Sequence, residues 1–228
     1  MHWTATELAV VALSLKVALV GTLLSVPFAV PVALALARGR FWGRSLLNAF
    51  VHLPLVLPPV VTGFVLLRVF GRHGAVGEFL ADHLGIVFAF RWTGAALAAA
   101  VMGFPLMVRA IRLAIENVDR GLEDAAATLG ASPAWTLATI TLPLAMPGLL
   151  AGMIIAFAKA LGEFGATIMF VSNIPGETQT LALAIFSLIE TPGAEAAVMR
   201  LVWLSIAVSF LALLASEALA RRVSRGRA

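Results

Sequence analysis

Five stretches of this chain contain no Asp, Glu, Lys or Arg: Val17 to Ala37 (21 residues), Leu46 to Leu67 (22), Trp92 to Val108 (17), Ile140 to Ala158 (19) and Leu201 to Ser216 (16). Crossing the ~30 Å hydrocarbon core of a bilayer takes about 20 apolar residues in a helix, and each stretch reaches that length with its flanks. Soluble domains carry roughly 25% charged residues; this one carries 12%, with 61% hydrophobic residues over a length of 228. In hydrocarbon every backbone polar group must be satisfied within the segment, which favours helices for runs this long. The pattern therefore predicts an all-α, polytopic transmembrane helix bundle with five spans at about 8–37, 46–70, 92–113, 143–163 and 198–219, forming one transmembrane domain over 1–228. Pro27, Pro31, Pro54, Pro58, Pro59, Pro105 and Pro147 fall inside those spans and predict kinks, which neighbouring helices and water can accommodate in a bundle.

The stretch from Phe164 to Ile189 has Glu177 as its one charge, but Asn173, Pro175 and Gly176 interrupt it. It reads as the outer end of the fourth span, a turn, and a short interfacial or re-entrant helix from about Thr180 to Ile189. A six-span alternative would use it as a full crossing.

Orientation follows from where basic residues cluster near span ends. Arg38, Arg40 and Arg44, then Arg109, Arg112 and Arg120, then Arg221, Arg222, Arg225 and Arg227 fall on one face; Arg68, Arg72, Arg91 and Arg200 fall on the other. The richer face is cytoplasmic, with the N-terminus outside and the C-terminus inside. The formal charge of +4 thus expresses topology, and no nucleic-acid partner is expected. No basic residue precedes Lys16, so a cleaved signal peptide with a basic start fits badly and the first span is expected to be retained. Trp3, Trp42 and Trp92 fall at span ends, where an interfacial aromatic belt is expected; Trp203 fits that less well.

Chemistry is excluded more readily than assigned. There is no cysteine, which removes disulfides, thiolate catalysis and cysteine-ligated zinc. His2, His52, His73 and His83 are scattered without the spacing of a metal site, so no metal is expected. A phosphate-binding loop needs G-x-x-x-x-G-K-[ST], and the two lysines, Lys16 and Lys159, follow Leu15 and Ala158. No cofactor is expected on this chain, and it cannot hydrolyse ATP by that mechanism. An intramembrane enzyme would have Glu163 and Glu217 as its best carboxylates, without a partnered His or Ser.

The segment from Arg109 to Leu142 is the longest on the cytoplasmic face. Leu122 to Leu129 is helix-forming, Gly130 is a stop signal, and Ser132-Pro133 reads as an N-cap followed by proline at the first helical position. The result is a helix, turn, helix elbow. Its spacing, Asp124-Ala125-Ala126, then Gly130, Ile140, Leu142 and Pro143, resembles the E-A-A-x3-G-x9-I-x-L-P signature of permease subunits of ATP-binding-cassette importers. It departs only at the first position, where Asp124 replaces glutamate and Glu123 precedes it. HLPLVLPPVVTGFVLL (His52 to Leu67), FPLMVRAIRLAIE (Phe104 to Glu116) and GEFGATIMFVSNIPGETQT (Gly162 to Thr180) are similar to the membrane subunits of molybdate importers, over nearly the whole chain.

That resemblance implies a type I importer permease of the cytoplasmic (inner) membrane. It would act as a homodimer, receive an oxyanion from an extracytoplasmic binding protein, and be driven by ABC ATPase subunits that use the ATP. Glu123, Asp124, Ala125, Ala126, Gly130, Ile140, Leu142 and Pro143 would form the ATPase-coupling loop at about 114–142. Molybdate is the expected substrate, with tungstate or sulfate/thiosulfate as alternatives within the family and a passive anion channel as a further one. Lys159 and Glu163, one helical turn apart, together with Gly162, Phe164 and Gly165, are candidates for an outer gate of the pathway. Lys159 would attract the oxyanion, and the glycines would allow bending or close helix approach. The competing reading is that Lys159 and Glu163 snorkel to the outer interface, which is also the reading favoured for Lys16.

Overall fold

In a computed structural model, residues 4–225 are described, and among them there are helices but no strands. Helix α1 spans Ala5–Arg38, 34 residues. Thr4 opens it with a capping box: its hydroxyl accepts from Glu7 N–H while the Glu7 carboxylate accepts from Thr4 N–H. Pro27 and Pro31 lie within α1 without ending it.

Helices α2 (Arg44–Val56) and α3 (Pro59–Phe70) occupy the predicted second span, which is not a single straight helix. Pro58 and Pro59 bring no N–H, and a residue before proline is pushed out of the helical region. Leu57 accordingly sits at φ −69°, ψ 143°, and the two halves bend by 112°. Helix α4 (Ala75–Leu84) follows and stops at Gly85, which has φ +65°. Helix α5 is Trp92–Glu116 and α6 is Arg120–Thr128. Helix α7 (Pro133–Thr136), a π-helical turn (Leu137–Thr141) and α8 (Leu142–Leu161) run on as one rod. Four helical rods, Ala5–Arg38, Trp92–Glu116, Pro133–Leu161 and Glu195–Ala215, are long and apolar enough to cross a bilayer, or five if the bent pair is one span.

The region 164–189 is two short helices, α9 (Gly165–Val171) and α10 (Leu181–Ile189). The fourth span's rod stops at Leu161 instead of running to 163, and α9 is a separate element packed on α3. Ser172 at φ +62° turns the chain after α9. Helix α10 packs between α1 and α11 (Glu195–Arg225), and its Leu181 N–H donates to Ser14 Oγ at 2.7 Å.

Helix α5 is the axis of the bundle. Its buried face carries Gly94, Ala95, Ala96, Ala98, Ala99 and Gly103. Apolar contact gives helices no preference for each other over lipid, so close approach of small residues supplies the packing. A Cβ on Gly21 of α1 would come 2.7 Å from Ala96 O, and one on Gly148 of α8 would come 2.1 Å from Ala114 Cβ. Gly103 faces Ala156 in the same way. These pairings set α1 parallel and α8 antiparallel to α5. Helix α11 lies at the edge, parallel to α1, with Arg200 3.0 Å from the buried Glu7. It exposes Met199, Trp203, Ile206, Phe210 and Leu213, as a helix facing hydrocarbon would.

Candidate functional site

The elbow is built from local hydrogen bonding. Asp119 caps α6 by accepting from Gly121 N–H at 2.8 Å. The helix ends in a Schellman arrangement: Ala131 N–H donates to Ala126 O and Gly130 N–H to Ala127 O, both at 3.0 Å. This requires a left-handed residue, and Gly130 supplies it at φ +82°. Ser132 Oγ then accepts from Trp135 N–H, and Pro133 begins α7.

Between the arms lies an open groove of about 690 Å³, walled by Leu122, Ala125, Ala126, Leu129, Trp135 and Ile140 among others. Leu129 is 89% exposed and Trp135 55%, so two large apolar side chains stand free at its rim. Ala126 is buried; Ala125 and Asp124 are exposed. Glu123 differs from its neighbour: its Oε1 accepts from Thr141 Oγ1 at 2.8 Å and from Arg38 Nη2 at 3.2 Å. The two adjacent acids thus have separate surroundings, Asp124 outside and Glu123 turned into the bundle.

Leu142 and Pro143 open α8 just after the π turn, where Leu142 N–H donates to Leu137 O. Pro143 has no N–H to continue the i to i−4 ladder, which is one local reason for the register to slip there. Proline was visible in the sequence; the π turn was not.

Lys159 Nζ lies 2.5 Å from Glu163 Oε2. Lys159 is on the last turns of α8, whereas Glu163 lies beyond its end, and Glu163 Oε1 accepts from Ala166 N–H at 3.0 Å at the start of α9. The Glu163 side chain is 2% exposed and that of Lys159 32%. Because Ala156 faces Gly103 and α8 runs antiparallel, Ala160 and Leu161 join the same core as Ala95 to Ala99. Ala96 in turn faces Gly21, near the middle of α1, about 24 Å from either end at 1.5 Å per residue. The pair therefore lies level with the middle of the long α1 and with the first turns of α5, and its carboxylate is buried.

The residues beside the pair divide. Gly165 is a close approach, since a Cβ there would come 2.8 Å from Pro59 Cβ, but Gly162 has nothing within 4 Å and is exposed. Close helix approach within this chain therefore explains Gly165 and not Gly162. Phe164 packs against Phe186 of α10, ring centroids 5.0 Å apart.

Lys16 Nζ sits 3.5 Å over the ring of Trp92 at the start of α5, a cation–π contact. His52 and His83 bond to backbone carbonyls of their own helices, and no metal-binding cluster occurs among the described residues. His2 and Trp3 lie outside the described residues, as do residues 226–228 and the side chains of Glu217, Arg221, Arg222 and Arg225.

Comparison with known proteins gives a family model, "Binding-protein-dependent transport system inner membrane component", matching residues 25–225. The Molybdenum transport system permease protein ModB of Escherichia coli (strain K12) is 57% identical over 228 residues, 100% of this chain and 99% of that protein. Its namesake in Haemophilus influenzae is 53% identical over 219 residues, 96% of each. Among solved structures, a bacterial alginate ABC transporter in complex with an alginate pentasaccharide-bound periplasmic protein aligns with a TM-score of 0.76 at 16% identity, covering 96% of this chain and 80% of that one. That likeness speaks for the fold.

Proposed function

The chain belongs to the family of inner membrane components of binding-protein-dependent transport systems, and on that premise we propose that it is the permease through which an ATP-driven importer passes molybdate across the cytoplasmic membrane. The identity of 57% along the full length of a molybdenum permease supports the substrate. Tungstate and sulfate are tetrahedral dianions of similar chemistry and remain the competitors to test.

The observation that carries the importer mechanism is the elbow: a glycine-set turn displaying Leu129, Trp135 and the groove between them on the face the basic residues assign to the cytoplasm. An exposed apolar concavity next to water marks a protein-binding surface. In this reading an ATPase subunit docks there, and Ala125 and Ala126 let it approach closely. The N-terminus is outside and the C-terminus inside.

A homodimer completes the pathway. Lys159 is a third exposed in the last turn of α8, beside the exposed Ile155 and Ala158 of that helix and Gly162 just past its end. A cation facing hydrocarbon is costly, up to roughly 2.5–3.5 kcal/mol at the centre of a span on insertion scales. A second copy of the chain, enclosing a wet path between the two α8 helices, removes that cost and gives Lys159 a dianion to attract.

The test is uptake of radiolabelled molybdate by vesicles containing the chain, its ATPase and its loaded binding protein, with tungstate and sulfate as competitors. ATP-dependent accumulation supports the proposal; equal uptake without ATP makes the chain a channel instead. Stronger competition by sulfate than by unlabelled molybdate would reassign the substrate.

A further inference from the structure

We infer that Glu123 is a positioning residue that fastens the elbow to α1, so that displacement of α6 by the docked ATPase is carried into the bundle through one carboxylate. This rests on the importer reading above and goes beyond it by assigning the residue that passes the motion and the helix that receives it.

A single oxygen of Glu123 takes two donors from different elements, Arg38 Nη2 at the end of α1 and Thr141 Oγ1 at the end of the π turn. The same Arg38 nitrogen donates to Val118 O at 3.0 Å, in the link between α5 and α6. Four segments thus meet at one guanidinium–carboxylate pair: the end of α1, the α5–α6 link, α6 and the π turn. The pair is mostly buried, with side chains 17% and 23% exposed, so it is screened far less than an exposed surface pair. The other substantial packing partners of α6 are α7 and the π turn, which belong to the elbow itself. Among the described residues, the Glu123–Arg38 pair is the side-chain hydrogen bond that joins α6 to α1.

Helix α1 is suited to receive that motion. It is one continuous helix, and beyond its middle it is held by Glu7 to Arg200 of α11, by Ser14 to the start of α10, and by Lys16 to Trp92 of α5. The π turn is the complementary element, a local break of helical register of the sort found at functional sites. A pull on Glu123 moves α1 as a unit and strains the turn from which α8 rises. The neighbouring acid cannot serve in this way, because Asp124 is exposed.

The experiment uses the full complex in vesicles and reads two quantities: ATPase retained on the permease, and molybdate taken up per ATP hydrolysed. Glu123→Ala and Arg38→Gln should each keep the ATPase bound and lower uptake per ATP by about fivefold or more, the scale of an ordinary coupling energy. The double variant should be no worse than either single one, since both remove the same link. The exchanged pair Glu123→Arg with Arg38→Glu should recover part of the ratio. Thr141→Val removes one donor while keeping the ion pair, and should lower the ratio by less; it provides the reading if Glu123→Ala does not assemble. Loss of the ATPase from Glu123→Ala in an assembled permease would make Glu123 a docking contact and overturn the inference. So would an unchanged ratio in the variants while the parent accumulates molybdate. Absence of ATP-driven uptake by the parent overturns the importer reading and this inference with it.

Discussion

Glu163 joins Lys159 of α8 to the first turn of α9, one carboxylate oxygen on the ammonium and the other on the Ala166 N–H. The buried member is the acid, so the two residues are not equivalent under mutation. Taking away a partner leaves a buried charge uncompensated, at roughly 3–5 kcal/mol.

Lys159→Ala should therefore lower both thermal stability and uptake, because it strands Glu163. Adding Glu163→Gln should restore assembly and stability while uptake stays low, since the cation proposed to attract the dianion is still missing. Melting in detergent and uptake at subsaturating molybdate are measured side by side. Parent-level uptake by the double variant would remove Lys159 from the pathway.

Gly130 tests docking through backbone conformation alone. A Cβ there meets nothing within 4 Å, so the cost of substitution is the left-handed φ, about 1–2 kcal/mol for an ordinary residue. Asparagine, which visits that region more readily, should retain the ATPase in co-purification, and Gly130→Val should lose it. Ala126→Trp should also lose it by filling the groove, while the permease still inserts. Parent-like retention by both Gly130→Val and Ala126→Trp would sink the elbow as the coupling surface.

Small-residue packing separates two glycines that look alike in the sequence. A Cβ on Gly148 would collide with Ala114 at 2.1 Å, whereas one on Gly162 meets nothing within 4 Å. Gly148→Ala should destabilise the isolated permease by about 1–3 kcal/mol, as overpacking does, and Gly162→Ala should leave its melting temperature within error. In the assembled complex Gly162→Ala should slow uptake, because that position faces the proposed second copy. Full uptake by Gly162→Ala would count against that dimer face.

Orientation is checked with single cysteines on the cysteine-free background. Ser45 and Glu190 are both exposed and fall on opposite faces in the proposed topology, so Glu190→Cys should react with an impermeant maleimide in intact cells and Ser45→Cys only after permeabilisation. Labelling of both in intact cells would contradict the N-out, C-in arrangement.

The sequence by itself determined the long apolar helices and the elbow, since both are local or near-local. Charge-free length sets which segments suit hydrocarbon, and the spacing of Gly130, Ser132 and Pro133 specifies a stop and a restart whatever surrounds them. Tertiary structure decided the rest. Pro58 and Pro59 announce a break, but the 112° turn that brings Pro59 against Gly165 depends on what α3 and α9 pack against. Depth along the sequence puts Lys159 and Glu163 near an outer end; the packing of α9 is what buries the Glu163 carboxylate there and gives it the Ala166 N–H. Neighbouring residues on a helix point about 100° apart, so composition could not say which of Glu123 and Asp124 would turn inward. Arg38 and Thr141, arriving from distant parts of the chain, settled that by offering Glu123 the two hydrogen bonds that make its partial burial affordable.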